Sequence, residues 1–307
     1  MKRDRRGEMK HTLFLLIMVI SVVSLLSACG QHQKQDKQQF DQQLKKVEQK
    51  EQAFYKAYND ADFHELKTMR HTEATEDNKA AFEQKQRVMN ESVRPKWKAY
   101  RKEAQKLPTP NKDVEALKKE YLKAVDKKGQ SLNQTSEFIS LCLDTIKSNE
   151  NIIEYTQKFE KRRKSVEDEL TEAKVTLQGQ QDSEILETVL AKNNSNIKKE
   201  VEDVLSEKNE IKRSQRLKNE ILPLIQTHIK SLNQERIHDN TVNNARQHAI
   251  QMYYELENYY KERAKNAINS EKLSEMNIKH VIRTSDELEH YETTYHQKND
   301  ELESQLQ

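Results

Sequence analysis

Residues 113–146 read DVEALKKEYLKAVDKKGQSLNQTSEFISLCLDTI, and apolar side chains recur along them at near-heptad intervals that continue through Ile153 and Phe159. The recurring positions are Val114, Leu117, Tyr121, Ala124, Leu132, Ile139, Cys142 and Ile146. Residues three and four apart share one face of an α-helix, so this spacing predicts a long helix that buries one narrow stripe. An unbroken helix over 110–178 would be roughly 100 Å long, and Gly129 could interrupt it. Because Cys142 lies on the stripe, we expect it to pack rather than to react.

The same period extends on both sides of this stretch. Residues 40–107 are predicted to form a helical hairpin of two antiparallel helices, the second of which Pro95 should bend or restart. The motif Leu107-Pro108-Thr109-Pro110 then forbids helix continuation, and Thr109 followed by Pro110 is typical of a helix N-terminus. Residues 110–307 are predicted to form a bundle of long helices.

Further helix breaks are predicted within this bundle. The segment Gly179-Gln180-Gln181-Asp182-Ser183 should end the long helix and cap the next one, and Pro223 should kink or split the helix that follows. A later helix is expected from about residue 241 to residue 268. His228 lies on an apolar helical face, where a partly buried and hydrogen-bonded core histidine is the expected structure.

The composition predicts an all-α fold. Four Gly and four Pro in 307 residues are too few for the turns of an α/β enzyme, and 34% charged residues leave each helix only a narrow apolar stripe. These features favour an elongated antiparallel helical bundle or coiled coil, which resembles a spectrin-like series of long helices. The sequence contains no nucleophile elbow, phosphate loop, dinucleotide fingerprint or zinc-protease motif, so neither an enzyme nor a cofactor is expected.

The N-terminus has the features of an export signal. Five basic residues precede an apolar run over 13–26, and residues 1–28 are predicted to be a cleaved signal peptide. The run ends in Leu26-Ser27-Ala28-Cys29, which resembles the bacterial lipobox. That resemblance implies cleavage before Cys29 and a diacylglycerol on its sulfur, which would hold the mature chain at the extracytoplasmic face of the cell membrane.

The mature chain that follows carries little net charge. Removal of the signal peptide changes the formal net charge from +2 to −1, and the remaining sequence has no basic block, so nucleic acid is not an expected partner. Residues 29–39 comprise the lipidated cysteine and a polar segment without an apolar side chain after Cys29 and Gly30. This segment is predicted to be a flexible tether.

Four tyrosines crowd into residues 251–260, which read QMYYELENYY. At 100° per residue, Met252 and Tyr260 lie on an apolar stripe, and Tyr253 and Tyr259 lie just outside its two edges, as core packing requires. Tyr254 lies about 200° from Met252, away from the stripe. It is therefore an exposed aromatic residue, a contact with a third helix, or a contact with a partner.

The segment Gln251-Met252-Tyr253-Tyr254, in a Lys- and Glu-rich chain with a lipobox, resembles the EMYY-motif lipoproteins of staphylococci and their relatives. Gln251 departs from the motif, which has Glu there. The resemblance implies Cys29 as the lipid site and Met252, Tyr253 and Tyr254 as signature positions without an assigned role. The chain is then expected to act as a non-enzymatic helical interaction or spacer module in the cell envelope.

Several functional questions stay open at this point. The partner of such a module could be a cell-wall polymer or another envelope protein, and the oligomeric state is undetermined. A solute-binding lipoprotein of a transporter is the alternative function, although it needs a ligand cleft. Asp286 with His290 and Glu292 with His296 are one helical turn apart, but neither pair has a third ligand that would complete a metal site.

Overall fold

The structure is a computed structural model that describes residues 5–69 and 76–306. Every regular element in these residues is helical, which confirms the all-α prediction. The α-helices are α1 (Arg5–Asp60), α2 (Leu66–Met69), α3 (Glu76–Val88), α4 (Arg94–Ala104), α5 (Lys112–Ala173), α6 (Leu177–Leu205), α7 (Glu210–Arg216), α8 (Leu222–Gln234), α9 (Asn240–Glu275), α10 (Ile278–Val281), α11 (Ser285–Glu289) and α12 (Thr293–Leu306). Short 3-10 turns at Phe63–Glu65 and His290–Glu292 accompany them.

The chain divides into two compact units. Unit 1 comprises Met1–Thr68, Gln84–Ser136 and Lys279–Gln307, and unit 2 comprises Met69–Glu83 and Glu137–Ile278. This division differs from the predicted hairpin over 40–107 and bundle over 110–307. The proline-rich break at 107–110 is a turn inside unit 1, because the C-terminal helices pack with the N-terminal ones rather than with their neighbours in sequence.

Unit 1 is built on α1, which packs along α4 and also contacts α11 and α12. Its interior is rich in aromatic rings, and Phe54 stacks on Tyr100 with ring centroids 6.1 Å apart. Fully buried apolar side chains of this unit include Phe40, Val47, Phe54, Leu66, Met89, Val93, Tyr100, Leu117, Val125 and Leu288. Those from α1 and α5 belong to stripes that repeat every three, four or seven residues, as expected for helix-on-helix packing.

The segment predicted as a flexible tether, residues 29–39, is helical in the structure and continues into the rest of α1. Lys37 explains the difference, because it is buried and its ammonium pairs with Asp41 at 2.6 Å and with Glu303 at 3.2 Å. A polar sequence is compatible with this helix because its long side chains pair with α12 and with each other.

Unit 2 is organised around α9, which packs against α6, α7 and α8. The C-terminal part of α5 runs beside α9, since Ser148 Oγ donates to the carbonyl of Glu262 at 3.3 Å and His248 Nδ1 lies 2.9 Å from Glu169 Oε2. Buried apolar side chains of this core include Val166, Leu170, Leu186, Val204, Leu217, Ile221, Ile225, Leu232, Val242, Ala249, Met252 and Tyr253. The alternation of small and large residues along α9 lets three helices approach it closely.

Two predicted caps are displaced by a few residues. Helix α5 is capped by Asn111, whose Oδ1 accepts from the backbone N–H groups of Asp113 and Val114 at 3.0 Å, and not by Thr109. The long helix ends at Ala173 rather than near Gly179, and Thr176 caps α6 by accepting from Gly179 N at 2.9 Å. In each case the capping residue is the one whose polar side chain reaches the unpaired N–H groups of the first helical turn. The amino-acid sequence offers several polar residues near each helix start and does not show which of them reaches these groups.

Both predicted proline breaks coincide with π turns. The turn at Met89–Val93 precedes Pro95 and the turn at Leu217–Ile221 precedes Pro223, so each proline stands in the first turn of a new α-helix. A proline has no N–H to donate, and a π turn immediately before it accommodates the missing hydrogen bond.

Candidate functional site

Tyr253, in the four-tyrosine segment of α9, is part of the core of unit 2. Its ring is fully buried, and its hydroxyl donates to Asn194 Oδ1 on α6 at 2.8 Å. Burial raises the pKa of this phenol above its ordinary value, so the tyrosine is a neutral donor. Met252 beside it is also buried, as its stripe position predicts. These two signature residues therefore fix α9 against its neighbours.

Tyr254 has the opposite environment. Its side chain is 47% exposed, which agrees with its angular position away from the apolar stripe of α9. The three signature positions thus separate into two core residues and one surface residue. Whether Tyr254 contacts a partner stays a hypothesis.

Two adjoining cavities lie on the surface of unit 2, and Phe159 of α5 lines both. The smaller lies between α5 and α9, whereas the larger lies between α5 and α6 and has Met252 as its lining residue from α9. The smaller, of about 270 Å³, is lined by Tyr155, Thr156, Phe159, Glu160, Leu256, Tyr259 and Tyr260. The larger, of about 400 Å³, is lined by Phe159, Arg163, Val166, Glu167, Leu170, Thr171, Glu187, Leu190, Asn194 and Met252. We call these two cavities together the α5–α9 groove.

The tyrosines at the end of the segment shape one wall of this groove. Tyr260 is buried, whereas Tyr259 is only partly buried, and their rings meet edge to face with centroids 5.0 Å apart. Burial raises the pKa of Tyr260 to about 12. On the α5 side, the ammonium of Lys158 lies 5.6 Å from the ring centroid of Tyr155. The sequence pattern placed Tyr259 and Tyr260 near the stripe but did not indicate a groove, because the groove depends on which helix lies beside α9.

His228 lies in the same unit and is buried, as its apolar face predicts. Its ring centroid is 6.5 Å from that of Tyr253, and its Nε2 has no hydrogen-bond partner among the described residues. Burial, assisted by the charge of Lys192, lowers the pKa of His228 and favours the neutral ring.

A second cluster, in unit 1, was not predicted from the sequence. Lys128 on α5 is completely buried, and its Nζ donates to the carboxylates of Glu51 on α1 and Glu292 in the turn before α12. Tyr100 donates to Glu51 Oε1 at 2.7 Å, and Tyr121 donates to Glu51 Oε2 at 3.3 Å. We call these five side chains the buried lysine cluster.

Aromatic rings enclose the ammonium group of this cluster. Lys128 Nζ lies 4.9 Å from the ring centroid of Tyr55 and 5.2 Å from that of Tyr100. The negative faces of these rings stabilise a cation that has lost its water. Burial of a lysine is costly without such partners, so the cluster connects segments of α1, α4, α5 and the turn before α12 through mutually dependent contacts.

One ammonium group faces two carboxylates, and the two carboxylates respond differently. Burial and the nearby charge of Glu51 raise the pKa of Glu292 to about 7, even though Lys128 opposes the shift. Burial also disfavours ionisation of Glu51, but the charge of Lys128 and hydrogen bonds from Lys128 and Tyr100 hold its pKa below the ordinary value. Glu292 is therefore the member of the cluster that exchanges a proton near neutral pH.

The histidine and carboxylate pairs considered from the sequence have no third ligand beside them in the part of the chain that the structure describes. His296 Nε2 lies 3.7 Å from Glu292 Oε2, and that carboxylate is already engaged by Lys128. Among the residues described by the structure, no group of three or more His, Cys, Asp or Glu side chains could hold a metal ion. Cys142 is buried, as its place on the α5 stripe predicts.

The predicted lipid site lies in α1. The backbone of Leu26, Ser27, Ala28 and Cys29 belongs to this helix, while their side chains lie outside the described part of the structure. In the described part of the chain, no helix is both long enough and apolar enough to cross a bilayer.

Comparison with known proteins identifies a family match. The model of a family described as EMYY-motif containing lipoprotein matches residues 9–303. No curated protein and no solved structure matches the chain. The family match therefore spans both units and the lipobox.

Proposed function

This chain belongs to the family of EMYY-motif containing lipoproteins, and from that membership we propose that it is a non-enzymatic interaction or spacer module anchored at the extracytoplasmic face of the cell membrane. A diacylglycerol on Cys29 forms the anchor, and the helical units contact a cell-wall polymer or another envelope protein. Nucleic acid is not a partner, since the mature chain has no basic block.

The anchor follows from the order of residues at the N-terminus. A basic segment, an apolar run and Leu26-Ser27-Ala28-Cys29 occur in the sequence that a lipoprotein signal requires. Burial of two acyl chains contributes about 0.8 kcal/mol per methylene group, which makes attachment effectively permanent. The family description supports the lipoprotein assignment.

The distribution of exposed apolar residues is the observation that carries the interaction role. In the described part of the chain, every large apolar side chain that is well exposed lies in unit 2. They are Ile153, Val175, Leu177, Ile185, Leu205, Ile211 and Tyr254. Val175 and Leu177 are 85% and 74% exposed and flank the same interhelical turn. Exposed apolar groups concentrated in one part of a molecule are typical of contact surfaces.

Contact mapping in intact cells tests this proposal. A photoreactive amino acid introduced in turn at each of the seven exposed apolar positions of unit 2 should produce crosslinks to wall material or to an envelope protein. Digestion with a muramidase or a protease then identifies the class of partner. Gln130, an exposed position in unit 1, is the control and should give few crosslinks. An absence of crosslinks at all seven positions would contradict the interaction role and leave a spacer.

The ≈ 400 Å³ cavity of unit 2 keeps the solute-binding function as a second candidate, because its volume lies in the range of ligand pockets. A transporter-associated protein should gain thermal stability from a small metabolite, by about 3 kcal/mol at a hundredfold excess over the dissociation constant. A metabolite screen by thermal shift that finds no such ligand removes this candidate.

A further inference from the structure

The α5–α9 groove has two chemically different parts. Its smaller cavity is aromatic, with Tyr155 and Phe159 from α5 facing Tyr259 and Tyr260 from α9. Its larger cavity has an aliphatic floor, formed by Val166, Leu170, Leu190 and Met252. From Tyr155 to Leu170, α5 rises roughly 22 Å at 1.5 Å per residue, so the groove has room for several linked rings.

Hydrogen-bonding groups alternate with this apolar surface. Thr156 and Glu160 line the aromatic part, and Thr171, Asn194 and Glu167 line the aliphatic part. The two threonine hydroxyls donate to backbone carbonyls of α5, and Asn194 Oδ1 accepts from Tyr253. A ligand hydroxyl would therefore meet the threonine oxygens and the carboxylate oxygens as acceptors and the Asn194 amide nitrogen as a donor. A groove that accepts only an amphipathic helix would instead present a mainly unbroken apolar floor.

The charges along the groove disfavour an anionic ligand. Three carboxylates and one guanidinium line it, and Arg163 already pairs with Glu160 at 2.7 Å and with Glu167. The third carboxylate, Glu187, pairs with Lys174 at 2.7 Å. A phosphate-rich polymer would meet excess negative charge and a cation that is already engaged.

We propose that the α5–α9 groove binds a neutral glycan strand, with sugar rings stacked on Tyr155, Phe159 and Tyr259. The face of a sugar ring carries C–H bonds that are attracted to the negative face of an aromatic ring, while its hydroxyl groups point outward to the polar lining. The aliphatic floor of the larger cavity accommodates apolar substituents such as the methyl group of an acetamido sugar. This assignment rests on the proposed interaction role and specifies its partner as the glycan part of the wall.

Binding measurements on the full lipidated protein in detergent micelles test the assignment. The probes are a tetrasaccharide of N-acetylglucosamine and bacterial sacculi, the latter used before and after removal of their anionic polymers. The wild-type protein should bind the tetrasaccharide and both kinds of sacculi. Tyr155→Leu and Tyr259→Leu should each weaken binding roughly tenfold, since an aromatic anchor is replaced by a side chain that keeps packing.

Gln247→Leu is the matched control. Gln247 is an exposed residue on the same helix as Tyr259 but about 120° around its axis, and it does not line the groove. Its binding should equal that of the wild type. Circular dichroism and thermal melting of the three variants establish that each remains folded, and Phe159→Leu gives an independent groove variant if Tyr155→Leu unfolds.

The possible failures are distinguishable. If sacculi bind and neither Tyr155→Leu nor Tyr259→Leu weakens binding, or if binding disappears with the anionic polymers, the groove assignment is wrong while wall contact stands. If neither probe binds and a photocrosslinker at position 155 joins an envelope protein, the groove is a protein-binding surface and the glycan assignment is overturned. If neither probe binds and no crosslink forms at any exposed position of unit 2, both the assignment and the interaction role fail.

Discussion

The free energy of unfolding of unit 1 depends on pH because the carboxyl group of Glu292 is buried beside Lys128. The carboxyl pKa of Glu292 is raised from 4.5 to about 7 in the folded protein, so the folded state binds more protons than the unfolded state between these values. The free energy of unfolding therefore falls as the pH rises from about 4.5 to about 7, by at most about 1.4 kcal/mol per pH unit. Glu51, whose pKa is lowered, acts at more acidic pH and in the opposite direction.

We predict that Glu292→Gln removes this pH dependence. The glutamine oxygen still accepts from Lys128 but carries no titrating proton, so the variant should become more stable relative to the wild type as the pH rises from 5 to 7. Urea denaturation at several pH values measures the difference. Glu301→Gln, at an exposed position of α12, is the control and should parallel the wild type. Parallel curves for Glu292→Gln as well would show that Glu292 does not titrate in this range.

The proposed function makes Cys29 the residue on which membrane attachment depends. We predict that Cys29→Ser abolishes incorporation of labelled palmitate and transfers the protein from the detergent phase to the aqueous phase in a phase-separation assay, because a serine oxygen does not form the thioether. Cys142→Ser is the matched control, since Cys142 is buried in α5, and it should retain both properties. Labelling that persists in Cys29→Ser would place the anchor elsewhere.

Helices α5 and α4 approach each other closely at Gly129. A β-carbon added there would lie 2.2 Å from Trp97 Cζ2, and the Trp97 ring is held by a hydrogen bond from its Nε1 to the carbonyl of Val125 at 3.1 Å. A glycine that was expected as a possible interruption of α5 is thus inside a continuous helix, where it permits helix contact.

The substitution Gly129→Ala tests this close approach, because the packing argument predicts that it lowers the stability of the protein rather than raising it. In an isolated helix the substitution stabilises by roughly 0.5–1 kcal/mol, but here displacement of Trp97 should outweigh that gain and destabilise the protein by about 1–3 kcal/mol. Gln130→Ala, one residue later and exposed, should be neutral or slightly stabilising. Thermal and urea unfolding of both variants give the comparison, and a stabilised Gly129→Ala would refute the packing argument.

Most helices could be predicted from the sequence, because apolar residues that recur at helical spacing indicate which face of a helix is buried. Met252 and Tyr260 are buried and Tyr254 is exposed, as their angular positions indicate. The buried lysine cluster was missed, although Lys128 lies seven residues after Tyr121 and Glu51 lies seven before Tyr58, both at stripe spacing. A stripe defined by apolar residues does not mark a charged residue at the same spacing as buried, and the partner of Lys128 comes from a distant segment that periodicity does not identify.

The grouping of helices into two units is the property of the whole molecule that the sequence did not predict, and deletion of residues 285–307 tests it. The deletion removes Glu292 and Tyr295, whose ring packs edge to face on Tyr121 with centroids 5.0 Å apart, and leaves Lys128 with one carboxylate. Amides of α1 and α4 should lose protection from hydrogen exchange, because loss of one partner of a buried charge typically costs 3–5 kcal/mol.

The same experiment separates the two ways of dividing the chain. Because the deleted helices belong to unit 1, amides of α9 in unit 2 should remain protected. A hairpin over 40–107 and a bundle over 110–307 would respond in the opposite way, with α1 and α4 protected and α9 exposed to exchange. Deletion of residues 304–307 alone, which leaves the cluster intact, is the control and should change neither group. If amides of α9 lost protection while those of α1 kept it, the domain boundary would instead lie at the proline-rich turn at 107–110.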